Sequence, residues 1–162
     1  MVELDWEHGS RHEYGISLHK DGLSFDNVSV TASSEELNRT LKKVTGALVA
    51  VDTGGGIFSW QNPEAGPILV QHVVLNITTK TTAACSVDVG TTATNATTSS
   101  DNLIDGKDIN AAAGTFTNDE SAGTNGKPVK RLASGKWVTA SMVAGGATAG
   151  LVGTYEIYYT AL

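Results

Sequence analysis

Three histidines near the start of the chain are the side chains best suited to binding a metal ion. His8 and His12 are four residues apart, which would place both on one face of a helix, and His19 follows seven residues later. A metal site also needs further ligands that a rigid scaffold holds in place, whereas glycines interrupt this segment at short intervals. We therefore predict no metal site and no cofactor.

Cys85 and three serines are the candidate nucleophiles. Cys85 has no histidine within ten residues, and a cysteine nucleophile needs a base or a positive neighbour. Ser59, Ser134 and Ser141 lack the G-x-S-x-G pattern of a nucleophile elbow. The acidic residues lie mainly in turns and in the first part of the chain, so they do not indicate the paired carboxylates of a glycosidase. We predict no catalytic residues and a protein that is not an enzyme.

The segment DNLIDGKD at residues 101–108 resembles a calcium-binding loop in its content of aspartates. It lacks the regular spacing of those loops and the glutamate that closes them. We predict instead a turn whose side chains cap backbone N–H groups.

The balance of charge limits the partners of the protein. The 162 residues carry 17 acidic and 11 basic side chains, which gives a net charge of −6. A nucleic-acid surface would be basic, and no apolar run is long enough to cross a bilayer. We therefore expect neither nucleic acid nor a membrane as a partner. The acidic first residues predict no secretory leader, so we expect synthesis in the cytoplasm.

The chain from residue 47 onward has the pattern of an all-β domain. Short β-branched runs alternate with turns rich in glycine, asparagine and serine, at intervals of roughly 8–12 residues. In the last run, residues 151–161, Tyr155, Ile157 and Tyr159 alternate with more polar neighbours. We predict a β-sandwich or jelly-roll-like body over residues 47–162, and the sequence leaves open whether its strand order is that of a jelly roll or of an immunoglobulin-like sandwich.

One short amphipathic helix is predicted for residues 31–46. Ser33 and Glu36 have the spacing of a capping box, and an apolar stripe runs from Leu37 to Val44. The glycine at position 46 then ends the helix.

Residues 1–30 mix charges with isolated aromatic side chains and show neither a helix period nor a strand period. We predict an extended N-terminal arm that becomes ordered against a partner. Large apolar side chains commonly anchor such a segment to the surface that it binds. The predicted anchors in this arm and in the following helix are Trp6, Tyr14, Phe25 and Leu37.

The last strand candidate carries aromatic residues on both faces. A sandwich buries only one face of each of its sheets, so the second face requires another cover. We predict a closed homo-oligomer, a trimer, with this strand close to the symmetry axis. The predicted oligomer contacts are Tyr155, Tyr158 and Tyr159.

Several segments resemble proteins of tailed bacteriophages. The sequence TASSEELN at residues 31–38 resembles helix starts that are common in phage head decoration and fibre proteins. In the body, the segments similar to small β-structured proteins of virion morphogenesis are residues 87–90, 102–106, 135–141, 147–153 and 155–159. The resemblance covers residues 31–162 and does not extend to residues 1–30.

The resemblance implies a capsid decoration (cement) protein. Such a protein binds the assembled shell of major capsid protein, often as a trimer at local three-fold positions, and stabilises it without catalysis. The four anchors above would then be capsid contacts, and the protein would reside on the exterior of the virion. The alternative is a head-fibre or tail-fibre module that binds a host receptor or a carbohydrate through loops 92–101 and 118–128.

Overall fold

The computed structural model describes most of the chain after residue 40 and four short segments before it. The described residues are 10–11, 16–19, 22–25, 28–29, 41–50, 56–95, 98–145 and 148–162. The chain divides into two compact units, Met1–Asn38 and Arg39–Leu162. Among the described residues there is no helix that could cross a lipid bilayer.

The described segments of the first unit form an antiparallel sheet. Its strands are β1 (Ser10–Arg11), β2 (Ile16–His19), β3 (Gly22–Phe25) and β4 (Val28–Ser29), which neighbour one another in chain order. The register places Ile16 opposite Phe25 and Leu18 opposite Leu23. The extended arm predicted for residues 1–30 stays a prediction, because its other residues lie outside the described part.

The second unit consists of two antiparallel sheets. The strands are β5 (Lys42–Ala47), β6 (Gly56–Gln61), β7 (Ile68–Thr79), β8 (Cys85–Thr92), β9 (Ile104–Asp108), β10 (Gly114–Thr117), β11 (Lys130–Leu132), β12 (Trp137–Gly145) and β13 (Val152–Ala161). The first sheet has the order β10-β7-β13-β5, with β11 also paired to β7, and the second has the order β6-β12-β8-β9. The prediction of an all-β, sandwich-like body is confirmed.

The helix predicted for residues 31–46 is wrong where the structure describes it. Residues 42–47 form β5, which pairs with β13 from Lys42 opposite Tyr159 to Ala47 opposite Thr154. Exposure along β5 alternates with a period of two residues, as in any strand with one face toward the core. The ring of Tyr155 lies so close to Gly46 that a Cβ there would be 2.5 Å from it. Residues 31–40 lie outside the described part.

The core lies between the two sheets. Phe58 of β6 stacks on Tyr155 of β13 with the ring centroids 4.1 Å apart, and the Trp60 ring lies 5.1 Å from that of Tyr159. The largest completely buried side chains include Ile57, Ile68, Leu75, Leu103, Ile104, Ile109 and Ile157. Each such side chain contributes about 1.5–3 kcal/mol by leaving water, so contact between the sheets is the main source of stability.

Candidate functional site

The outer face of the first sheet carries a group of charged and aromatic side chains. Alternation along β13 turns Glu156 and Tyr158 away from the core. The Tyr158 hydroxyl donates to Glu156 Oε2 at 2.6 Å, and Lys43 Nζ donates to Glu156 Oε1 at 3.2 Å. These two hydrogen bonds hold the pKa of the Glu156 carboxyl below its ordinary value, and the bond to Glu156 raises the pKa of Tyr158.

The same group continues across β7 to the turn after β10. The His72 ring lies 5.9 Å from the Tyr158 ring, and His72 Nδ1 is 3.6 Å from Asp119 Oδ1. Hydrogen bonds, chiefly one with Thr117, keep the pKa of Asp119 below its ordinary value. We call the surface formed by Lys43, His72, Asp119, Glu156 and Tyr158 the open face, because its side chains are half-buried or exposed. It presents charges of both signs around one aromatic ring.

Two of the three predicted oligomer contacts lie elsewhere. Tyr155 and Tyr159 point into the core and are 9% and 6% exposed. Burial raises the pKa of both phenols, and their rings pack on Phe58 and Trp60 of the opposite sheet. The expectation that all three tyrosines contact another protomer is therefore corrected, and only Tyr158 lies on the outer face.

The chain itself covers the middle of the outer face of the second sheet, whereas Ser59, Gln61 and Val143 are exposed on the same face. Ser99 donates its backbone N–H to Ser141 Oγ at 2.7 Å and its hydroxyl to the Thr139 carbonyl at 2.6 Å. Thr139 and Ser141 lie on the outer face of β12, yet they are 0% and 2% exposed. Residues 98–102 therefore cover the middle of this face.

Asn102 fixes one end of this cover. Its Oδ1 accepts the backbone N–H of Thr91 at 3.0 Å, and its Nδ2 donates to Thr91 Oγ1 at 2.9 Å. Its backbone carbonyl accepts the N–H of Lys127 at 3.1 Å. Asn102 thus joins the cover to the second long loop, residues 118–128.

Asn118 fixes the second loop from its other end. Its side chain is completely buried. Its Oδ1 accepts the N–H of Val73 at 2.7 Å, and its Nδ2 donates to the carbonyls of Lys127 and Pro128 at 3.1 and 2.7 Å. Sequence analysis did not single out this residue or Asn102, although asparagine in turn-rich segments is the signal for a side chain that replaces backbone pairing.

The aspartates of residues 101–108 and their neighbours cap turns, as predicted. Asp108 Oδ1 accepts the N–H groups of Asn110 and Ala111, and Asp105 Oδ2 accepts that of Asn125. The described part of the chain holds no cluster of three or more residues suited to binding a metal. The pKa of nearby Asp88 is raised above its ordinary value. Burial is the main cause and the charges of Asp105 and Asp101 add to it, whereas a hydrogen bond from the Gly106 N–H lowers this pKa.

Replacing Asp88 with asparagine is expected to stabilise the fold at pH 7 and to lose this benefit in acid. The raised pKa means that the folded state disfavours the carboxylate form. The contribution of Asp88 to stability is therefore fully present below the pKa that Asp88 has in the unfolded chain. It is lost as the pH rises through the pKa of Asp88 in the folded protein. Asparagine stays neutral and still accepts from the Gly106 N–H. Urea unfolding at pH 7 and near pH 3 measures the difference.

The control is Asp119→Asn, because the pKa of Asp119 is shifted downward and its replacement should destabilise the protein at pH 7. A loss of stability in Asp88→Asn at pH 7, or a gain that does not depend on pH, would contradict the prediction.

Three other candidate nucleophiles, Cys85, Ser134 and Ser141, are buried or hydrogen-bonded within the fold. Burial raises the pKa of the Cys85 thiol, and the Asp108 charge raises it further. Ser141 accepts a hydrogen bond from the cover, as described above, and the Ser134 hydroxyl donates to the Glu64 carbonyl at 3.1 Å. His19 belongs to β2, whereas His8 and His12 lie outside the described residues.

Of the predicted capsid contacts, the structure places one. Phe25 lies in β3, opposite Ile16 and Val28, and the other three, Trp6, Tyr14 and Leu37, lie outside the described residues. Comparison of the chain with protein families, with curated proteins and with solved structures found no match.

Proposed function

We propose that this chain is a phage head decoration protein. In this function it binds the outer surface of the shell of major capsid protein and stabilises that shell without catalysing a reaction. It would be made in the host cytoplasm and would end on the exterior of the virion. The sequence resemblance over residues 31–162 suggests this role, and features of the second unit support it.

The first support is the order of the strands. From the strand orders β5-β13-β7-β10 and β6-β12-β8-β9 we infer a jelly roll, in which the chain crosses repeatedly between the two sheets. Jelly rolls occur in viral capsid proteins and in lectin domains. Because one fold serves many functions, this order supports a virion protein only by analogy.

The observation that carries the proposal is the difference between the two outer faces. Residues 98–102 cover the middle of one face, whereas the open face presents Lys43, His72, Asp119, Glu156 and Tyr158 to the surroundings. A rigid body with one polar face of mixed charge suits a contact whose register is set by complementary charges. We assign this face to contact between copies of the chain, and the contacts of the resulting oligomer with the shell, repeated over that shell, bind strongly in sum even where each is weak.

The anchored loops favour decoration over the fibre alternative. A receptor-binding fibre module was predicted to use loops 92–101 and 118–128. In the structure, Ser99, Asn102 and Asn118 tie these loops to the strands beneath them. These three side chains are engaged within the chain, so they are not available to bind a receptor.

We further propose that the protein is a homotrimer with the open face near its axis. Tyr158→Asp is expected to convert the trimer to monomers, because the new carboxylate would lie beside Glu156 in an interface without a partner. The monomer should stay folded, since Tyr158 is only half-buried. Light scattering during size-exclusion chromatography gives the mass, and thermal unfolding reports the fold.

Tyr158→Phe is the matched control, since it keeps the ring and removes only the hydrogen bond to Glu156. It should remain trimeric. A wild-type protein that stays monomeric at high micromolar concentration would contradict the trimer.

Binding to shells tests the proposed function itself. Purified protein is mixed with shells of the phage that encodes it, from which this protein is absent, and the shells are sedimented. Co-sedimentation that saturates at a fixed ratio to the major capsid protein is expected. Absence of the protein from the pellet would contradict the proposal.

A further inference from the structure

A cleft of about 390 Å³ opens along the edge of the second sheet, beside β6. Ala47 and Val49 from the end of β5 line one side, and Ser59 and Asn95 line the other. Phe58 also lines it, where it stacks on Tyr155. The cleft thus lies where the edge strands of the two sheets come together.

Beyond Ile57, no described residue pairs with the backbone of β6 on the side that faces away from β12. The Asn62 N–H donates to the Lys136 carbonyl across β12 at 2.9 Å, and alternate residues of an antiparallel strand point the same way. Trp60 therefore also pairs toward β12, while Ser59 and Gln61 direct their N–H and C=O groups to the open side. The Ile57 carbonyl agrees with this alternation, because it accepts the Val49 N–H at 2.9 Å.

The lining of the cleft is uncharged. None of the described residues that line it is acidic or basic, although the chain carries a net charge of −6. Its walls combine small and apolar side chains, Ala47 and Val49, with the polar groups of Ser59 and Asn95. An edge of free backbone groups beside such walls suits an extended, uncharged peptide segment with small side chains, bound by main-chain hydrogen bonds.

We propose that an uncharged, extended segment of the major capsid protein adds as a strand to the free edge of β6 and lies in this cleft. This inference rests on the proposed function and names the contact by which the body holds the shell. Pairing of β6 with the β6 of a second copy would be two-fold, which does not fit the proposed three-fold oligomer.

Ser59→Pro tests the added strand. Proline removes the outward N–H of Ser59, for which no described residue is an acceptor, and proline is tolerated on an edge strand in that orientation. The full-length variant should bind shells about tenfold more weakly, as expected for one or two lost main-chain hydrogen bonds. Ser59→Ala keeps the N–H and should bind like the wild type, and thermal unfolding shows whether both variants fold.

Hydrogen exchange on the wild-type protein gives a second measurement that needs no variant. The amides of Ser59 and Gln61 should exchange rapidly in the free protein and become protected on the shell. If the wild type binds shells while Ser59→Pro binds equally well, or while the Ser59 amide stays unprotected, the added strand is refuted and the proposed function stands.

Two further outcomes overturn the inference. Protection of Ser59 in the free protein that rises with its concentration would assign the cleft to a second copy. A wild-type protein that does not bind shells would overturn the proposed function, and the added strand with it.

Discussion

Replacing Asn118 with alanine is expected to lower the free energy of unfolding by about 3–5 kcal/mol. The variant loses three hydrogen bonds at once and leaves the Val73 N–H and the carbonyls of Lys127 and Pro128 without their partner. Because the side chain is completely buried, water cannot replace it without opening the loop. Urea unfolding of the wild type and of Asn118→Ala gives the difference in the free energy of unfolding, provided that both show the same dependence on urea concentration.

Asn76→Ala provides the control for this prediction. Asn76 is exposed on β7, and its side chain is engaged with Thr115 at 3.4 Å, so its loss should change stability by less than about 0.5 kcal/mol. If Asn118→Ala costs no more than this control, Asn118 does not hold loop 118–128 in place.

Replacing Gly90 with alanine is expected to cost about 3 kcal/mol and to loosen the cover of the second sheet. A Cβ at Gly90 would overlap the carbonyl of Ser100 and would lie 2.9 Å from Asn102 Oδ1. Backbone cannot move aside as a flexible side chain does, so residues 98–102 would have to shift. Unfolding by urea measures the cost, and faster exchange of the Ser99 amide measures the release of the cover.

Gly66→Ala is the matched control, because the nearest atom to its Cβ would be 3.8 Å away, an ordinary contact. It should stay within about 0.5 kcal/mol of the wild type. If Gly90→Ala has unchanged stability and an unchanged rate of hydrogen exchange at the Ser99 amide, then residues 98–102 do not contact β8 closely at Gly90.

Strands with strong local patterns could be read from the sequence. The longest one is Ile68–Thr79, which β-branched residues fill and turn residues bound. The alternation predicted for the last strand is confirmed as well. Its inward residues, Tyr155, Ile157 and Tyr159, are buried.

The helix prediction failed because local signals competed with a distant partner. An apolar stripe from Leu37 to Val44 fits a helix, but residues 42–47 gain a complete ladder to β13. That partner is more than a hundred residues away, as the contact between Lys43 and Glu156 shows. Local periodicity does not report which distant strands pair with each other. For the same reason, the strand order could not be chosen from the sequence.

The anchoring of the two loops could not be predicted for a related reason. Most described residues of segments 92–101 and 118–128 are exposed or half-buried, as their small polar residues predict. In the structure, Ser99, Asn102 and Asn118 use their side chains to complete backbone hydrogen bonds of neighbouring strands. Such residues look the same in a free loop and in an anchored one, because the difference lies in the partner that the fold supplies.

The position of the protein in the intact particle tests the proposed function most directly. Electron cryomicroscopy of the phage that encodes this chain should show a two-sheet body on the outer surface of the shell, in groups of three at local three-fold positions. The open face should lie at the centre of each group. Density for this body at the tail tip or in a fibre, with none on the shell, would contradict the assignment as a decoration protein.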